Sequence, residues 1–135
     1  MTVVGTPTMD IGEVRVLADG LDHPEGVAVG PDGTLWAGGE AGQIYRVDHR
    51  AGTFEQVIDT GGFLLGVTVD GDGRVIVCDV GRREVLRFDP AVQKLEVLTT
   101  GTAERPLANP NWSVFDADGN LYVTDSGHWN EQDGC

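Results

Sequence analysis

The sequence predicts an all-β chain, and three observations predict it. Segments of roughly 40 residues resemble one another along the chain. Each carries an Asp-Gly dipeptide at the same place: Asp32-Gly33, Asp72-Gly73 and Asp118-Gly119. Apolar residues alternate with period two on either side of each dipeptide, as they do along half-buried strands. The segments are HPEGVAVGPDGTLWAGGEAGQIYRVDHRAGTFEQVIDTG, FLLGVTVDGDGRVIVCDVGRREVLRFDPAVQKLEVLTTG and NPNWSVFDADGNLYVTDSGHWNEQDGC. An Asp-Gly pair between two such runs predicts a tight hairpin, because both residues tolerate positive φ. Four short antiparallel strands every 40 to 45 residues are the pattern of a β-propeller blade. A blade buries its two faces only against neighbouring blades, which accounts for strands that are apolar on both sides.

Taken in order, residues 1–12 read as an N-terminal tail. The run EVRVLADG, 13–20, matches the last strands of the later repeats, FEQVIDTG and LEVLTTG, and so predicts an outer strand that completes a closing blade. Residues 21–60 predict one blade, with strands at 26–29, 34–37, 43–47 and 54–58. Residues 61–101 predict a second, with strands at 66–69, 75–78, 84–88 and 95–98. Residues 105–135 predict an incomplete third blade, with only two strands, 112–115 and 121–124. The third blade lacks its two outer strands, so the 135 residues read as about half of a longer propeller. Open blade faces and a bare strand edge predict that the isolated chain self-associates.

Composition agrees with many tight turns: 20 Gly against 6 Pro. The net charge of −13 argues against nucleic acid and against an anionic membrane surface, and it suits divalent cations. No apolar run approaches the ~20 residues of a membrane span, and the N-terminus lacks the basic patch and apolar core of a secretory signal. Two cysteines in unlike settings, Cys78 inside an apolar run and Cys135 at the last position, make no disulfide framework and point to a reducing, cytoplasmic compartment.

Three stretches resemble the gluconolactonase-like family, the group of senescence marker protein (regucalcin) and luciferin-regenerating enzyme, with strictosidine synthase as a relative. They are HPEGVAVGPDGTLW, FLLGVTVDGDGRV and ANPNWSVFDADGNLYVTDSG. The resemblance covers residues 13–135 and only the first half of the family fold. It implies a six-bladed propeller, a divalent metal, commonly calcium, in the central channel, and hydrolysis of lactones or similar esters. It also implies that Glu25, at the entry to an innermost strand, is a metal ligand. By the same resemblance Asn111, the Pro-Asn residue two blades on, faces the site and helps hold substrate or metal-bound water. The family pattern usually has Asp after this Asn, whereas here Trp112 follows, which makes the pocket more apolar. The family's remaining ligands, an Asn and an Asp, come from later blades, so this chain alone is expected to bind metal weakly and to be weak or inactive as an enzyme. The catalytic residues are left open.

Two alternatives stand beside this reading. CDVGRREVLRFD is nearly as similar to NHL-repeat propellers, which would make the chain a non-catalytic partner-binding module. A strictosidine-synthase-like propeller without metal catalysis is the other. Elsewhere, Asp32, Asp72 and Asp118 read as turn formers, and Asp79 and Asp125 as ties to nearby backbone. His23, His49 and His128 read as scattered loop residues with no zinc spacing. DADGN lacks the helices and glycine position of an EF-hand loop. Ser126 and His128 have no Gly-x-Ser-x-Gly elbow, and GGFLLG has no phosphate-loop Lys. Trp36, Trp112 and Trp129 read as blade packing or channel rim.

Overall fold

The computed structural model describes residues 11–128. Ten strands follow a short 3-10 turn at Ile11–Glu13. The first sheet holds β1 (Val27–Val29), β2 (Leu35–Gly38), β3 (Gln43–Asp48) and β4 (Thr53–Asp59). The second holds β5 (Leu64–Val69), β6 (Val75–Asp79), β7 (Glu84–Asp89) and β8 (Lys94–Thr99). The third holds β9 (Pro110–Phe115) and β10 (Leu121–Asp125). Every sheet is in sequential order and every pairing is antiparallel, so each is a blade or the inner half of one. The protein is all-β, and its architecture is that of about three β-propeller blades.

Period-two alternation assigns the side chains to interfaces. Every residue of β6 is buried, because this strand packs on both sides. Val75 and Val77 join Trp36, Ile44, Leu64, Val67, Leu86 and Phe88 in the core between the first and second blades. Ile76 and Cys78 point the other way, with Val85, toward Leu107, Phe115, Leu121 and Val123 of the third-blade segment. Trp36 meets Phe88 edge to face across the first of these cores, ring centres 6.4 Å apart. Trp36 is therefore blade packing, and Cys78 is a buried thiol.

The Asp-Gly hairpins form, with a turn different from the one expected. Only the glycines take positive φ: 83° at Gly33, 82° at Gly73 and 83° at Gly119. In the first blade Gly33 N–H donates to Gly30 O at 2.9 Å, and Gly30 N–H donates to Thr34 O at 2.8 Å. The other two blades repeat this pair of bonds at Asp70–Arg74 and Asp116–Asn120. This is a three-residue loop, a type I turn closed by a left-handed glycine. None of the three aspartates takes a positive φ; an aspartate instead caps each turn. Asp32 accepts from Thr34 N–H, whereas in the later blades Asp70 and Asp116 at the turn start take over.

The outer strand expected at 13–20 is absent. Residues 14–20 have no regular secondary structure, and Val14 and Val16 are exposed. The segment runs past the outer hairpin of the first blade, where a Cβ on Gly52 would lie 3.4 Å from the Leu17 carbonyl. A strand needs a ladder partner, and β4, the outermost strand of that blade, pairs only with β3. The expectations for residues 1–10 and for Trp129 and Cys135 lie outside the described residues.

Candidate functional site

The innermost strands β1, β5 and β9 stand side by side, and their entry ends carry the candidate residues. Glu25, Leu65 and Asn111 each lie seven residues before the turn aspartate of their blade. The strands touch just beyond this level. A Cβ on Gly26 would lie 2.6 Å from Leu65 O, and one on Gly66 would lie 2.6 Å from Asn111 O. Glu25 and Asn111 thus occupy matching entry positions on the first and third blades, with Leu65 on the blade between.

Glu25 is exposed, and its carboxylate makes no hydrogen bond or ion pair among the described residues. Asn111 is half-buried. Its Nδ2 donates to Ser126 Oγ at 2.9 Å, which leaves the amide oxygen uncommitted. The free groups at this end are therefore oxygen acceptors, the donor type that hard cations take.

One carboxylate per blade fastens the loop that delivers the entry residue. In the third blade Asp125 accepts from Ala108 N–H at 2.8 Å, Asn109 N–H at 3.0 Å and Gly127 N–H at 2.8 Å. Burial raises the pKa of Asp125, but the three N–H groups outweigh it and hold the carboxyl below its ordinary range. In the second blade Asp79, fully buried, accepts from Thr60 Oγ1 at 2.7 Å, Phe63 N–H at 3.0 Å and Arg82 N–H at 2.9 Å. The first blade has Gly39 at this place and carries the carboxylate on the facing loop instead, at Asp22. Asp22 accepts from Ala41 N–H at 3.3 Å and Gln43 Nε2 at 3.1 Å. The second blade correspondingly has Gly62 opposite Asp79, where a Cβ would lie 2.0 Å from the carboxylate. Asp79 and Asp125 are the backbone ties that their sequence positions imply.

His23 is not an isolated loop residue. Its Nδ1 lies 2.8 Å from Asp22 Oδ1 and 3.2 Å from Glu40 Oε2. The hydrogen bond to Asp22, then the Glu40 charge, raise its pKa above the ordinary histidine value. These three side chains are the group of potential metal ligands that lie together among the described residues, and Glu25 is not one of them. The sequence separates Glu40 from His23 by a whole hairpin, so only the β1–β2 register brings them together. Surface hollows lie elsewhere. One is lined by Asp32, Arg46, Asp48 and Phe54 and another by Asp70, Arg74, Phe115 and Asp116, both at the turn ends of the inner strands, away from Glu25 and Asn111.

A gluconolactonase from Xanthomonas campestris superposes with a TM-score of 0.72 at 28% identity, over 82% of this chain and 37% of that one. The chain has a gluconolactonase-like propeller fold. The strictosidine synthase-like N-terminal family model matches residues 12–47 of this chain. A putative gluconolactonase superposes with a TM-score of 0.70 at 21% identity, over 82% of this chain and 39% of that one. Virginiamycin B lyase from Staphylococcus aureus superposes at 0.66 and 19% identity, over 78% and 36%. These last two show the fold alone. The chain spans a little over a third of the length of these structures. No curated protein matches it in sequence. No helix among the described residues is long and apolar enough to cross a membrane.

Proposed function

We propose that the chain forms part of a metal-dependent hydrolase of lactones or similar esters, with a divalent cation, calcium by its oxygen donors, held in the propeller channel. Glu25 is the carboxylate that holds the cation, and Asn111 orients the small-molecule substrate or water. The observation that carries the reading is the unpartnered Glu25 carboxylate at an inner-strand entry, with the free Asn111 oxygen at the matching entry two blades on. The 28% identical Xanthomonas gluconolactonase supports the same class of chemistry. When bound, the cation polarises an ester carbonyl and makes water more acidic. Glu25 contributes charge and one ligand position. Asn111, fixed through Nδ2 to Ser126, presents its amide oxygen as an acceptor for a water or hydroxyl proton. One carboxylate and one amide fall short of the six to eight oxygens calcium takes, so this chain alone binds the cation weakly.

Calorimetric titration of the 135-residue chain with calcium tests the reading. Saturable weak binding in the parent, abolished in Glu25→Gln without change in the calcium-free melting temperature, is the expected result. Equal calcium binding by Glu25→Gln overturns it. The strictosidine synthase-like match over residues 12–47 favours a second reading, a propeller without metal catalysis, and there neither protein responds to calcium.

A further inference from the structure

The turn ends of the first two blades differ in one side chain that matters. Matched by strand register, Thr34 corresponds to Arg74, Arg46 to Arg87 and Asp48 to Asp89. Asp32 and Asp72 are the turn aspartates beside them. In the second blade Arg74 is held among carboxylates. Its Nε donates to Asp70 Oδ2 at 2.7 Å, and its Nη2 lies 2.8 Å from Asp72 Oδ2. The hydrogen bond to Asp70 raises the pKa of Arg74 most, and the charges of Asp70, Asp72 and Asp89 add to it.

The first blade keeps two of these three carboxylates and has no arginine between them. Thr34 is short, and Gly30 stands where the second blade has Asp70. A hollow of about 620 Å³ lies there, lined by Asp32, Thr34, Arg46, Asp48 and Glu55 among others. Its size is within the range of about 300–1,000 Å³ usual for small-molecule sites. Every lining residue belongs to the first blade, so the hollow needs no neighbouring blade to form. Asp48 caps its own hairpin through Oδ1, which accepts from Arg50 N–H at 2.9 Å and Ala51 N–H at 3.0 Å. Its Oδ2 has no hydrogen-bond partner among the described residues. Asp32 accepts from Thr34 N–H at 2.9 Å and Thr34 Oγ1 at 2.8 Å, one on each oxygen, which leaves further lone pairs. The Thr34 and Ala51 N–H groups hold the two carboxyls below their ordinary range, so both are charged at neutral pH. Arg46 is spent on Glu55, 2.5 Å away. His49 and Arg50 are the basic groups left in the lining.

We propose that this hollow is a second binding site, at the turn end of the first blade and away from Glu25 and Asn111, and that it takes a guanidinium group from outside the chain. The second blade shows the ligand, because the corresponding carboxylates there hold one of the chain's own. A guanidinium is planar and weakly hydrated and carries five N–H donors in fixed directions, so carboxylates on two separate turns can each take one edge of it. An ammonium is a compact, strongly hydrated point charge and gives up more water to enter. The source is the arginine side chain of a peptide or a free arginine-like solute. The site is independent of the lactone reading.

The test titrates the isotope-labelled 135-residue chain with millimolar ethylguanidinium and follows the backbone amide NMR signals. Saturable shifts confined to residues 32–34 and 48–51 are expected, with weaker binding of ethylammonium. Thr34→Arg puts the second blade's side chain into the hollow and abolishes the response. Asp48→Asn keeps an acceptor for the hairpin cap and weakens binding about tenfold or more, the loss expected for one charge-assisted hydrogen bond. Arg50→Ala removes the hairpin's own competing guanidinium and binds at least as tightly as the parent. N-acetyl-L-arginine methylamide and free L-arginine separate the two sources: tighter binding of the first identifies a peptide arginine, and of the second a free solute. No saturable response in either the parent or Arg50→Ala, shifts spread over the acidic surface, equal binding of ethylammonium, or an undiminished response in Thr34→Arg or Asp48→Asn overturns the inference.

Discussion

At the scale of single residues, the chain places its carboxylates by partner rather than by position. Asp79 and Asp125 end the second strand of their blades and tie the loop before the inner strand. The first blade reaches the same end from the opposite side, with Asp22 on the loop and Gly39 just past the end of the strand. Only one carboxylate fits each junction, since side chains on both sides would collide at the 2.0 Å separation measured from Gly62. This exchange is invisible to a repeat alignment, which compares positions and not contacts. Cys78 shows what burial does where no such tie exists. It lies fully buried between the second and third blades, and desolvation raises its thiol to about 11, against a smaller opposing effect of Ser113. An ordinary cysteine thiol titrates near 9.0, so at pH 8 the folded state holds about a hundred-fold less thiolate than an unfolded one. Iodoacetamide at pH 8 should therefore modify Cys78 at least that much more slowly in buffer than in urea, read by mass spectrometry of the peptide containing residue 78. Equal rates would place the thiol at the surface.

At the scale of elements, the strands were legible and their junctions were not. All ten strands fall within two residues of where period-two alternation places them. The turns were legible as hairpins. Their type was not, because Asp-Gly serves a two-residue loop and a type I turn with a left-handed glycine equally well. The 13–20 strand failed because its apolar alternation describes a surface to be covered, and no strand among the described residues offers it a ladder. For the candidate site, the entry positions of Glu25 and Asn111 were readable from the turn spacing, while the Asp22–His23–Glu40 cluster needed the hairpin register. The close contacts at Gly26 and Gly66 were likewise hidden, since sequence shows a glycine and not its neighbour. They carry a prediction at this scale. Gly66→Ala puts a Cβ against the Asn111 and Trp112 backbone, which cannot rotate away, and should cost about 2–3 kcal/mol by forcing β5 and β9 apart. Gly71→Ala, with nothing within 4 Å and no positive φ, should stay within about 0.5 kcal/mol of the parent. Urea denaturation of the two variants decides, and equal midpoints would mean that the inner strands separate freely.

At the scale of the whole molecule, two apolar faces compete with one large charge. Val27 and Val29 stand 66% and 65% exposed on β1, on the side away from the second blade. Their counterpart Val67 is 2% exposed, because the first blade covers it. The other end shows Trp112, Val114 and Tyr122. Unlike faces at opposite ends favour head-to-tail contact, which extends rather than closes. The net charge of −13 opposes any approach of two copies. Burying two valines and their neighbours is worth a few kcal/mol and does not depend on added salt, whereas repulsion between exposed charges falls as the screening length shrinks from about 30 Å at 0.01 M to about 3 Å at 1 M. Self-association of the 135-residue chain should therefore increase with salt, from monomer at 10 mM sodium chloride to a concentration-dependent series of oligomers at 500 mM. Sedimentation velocity at several protein concentrations reads this directly. Val27→Lys with Val29→Lys should hold the chain monomeric at both salt levels, since lysines on that face remove the apolar surface and cost little where the valines are already solvated. Association that weakens as salt is added would mean that ion pairs join the copies and the blade faces do not.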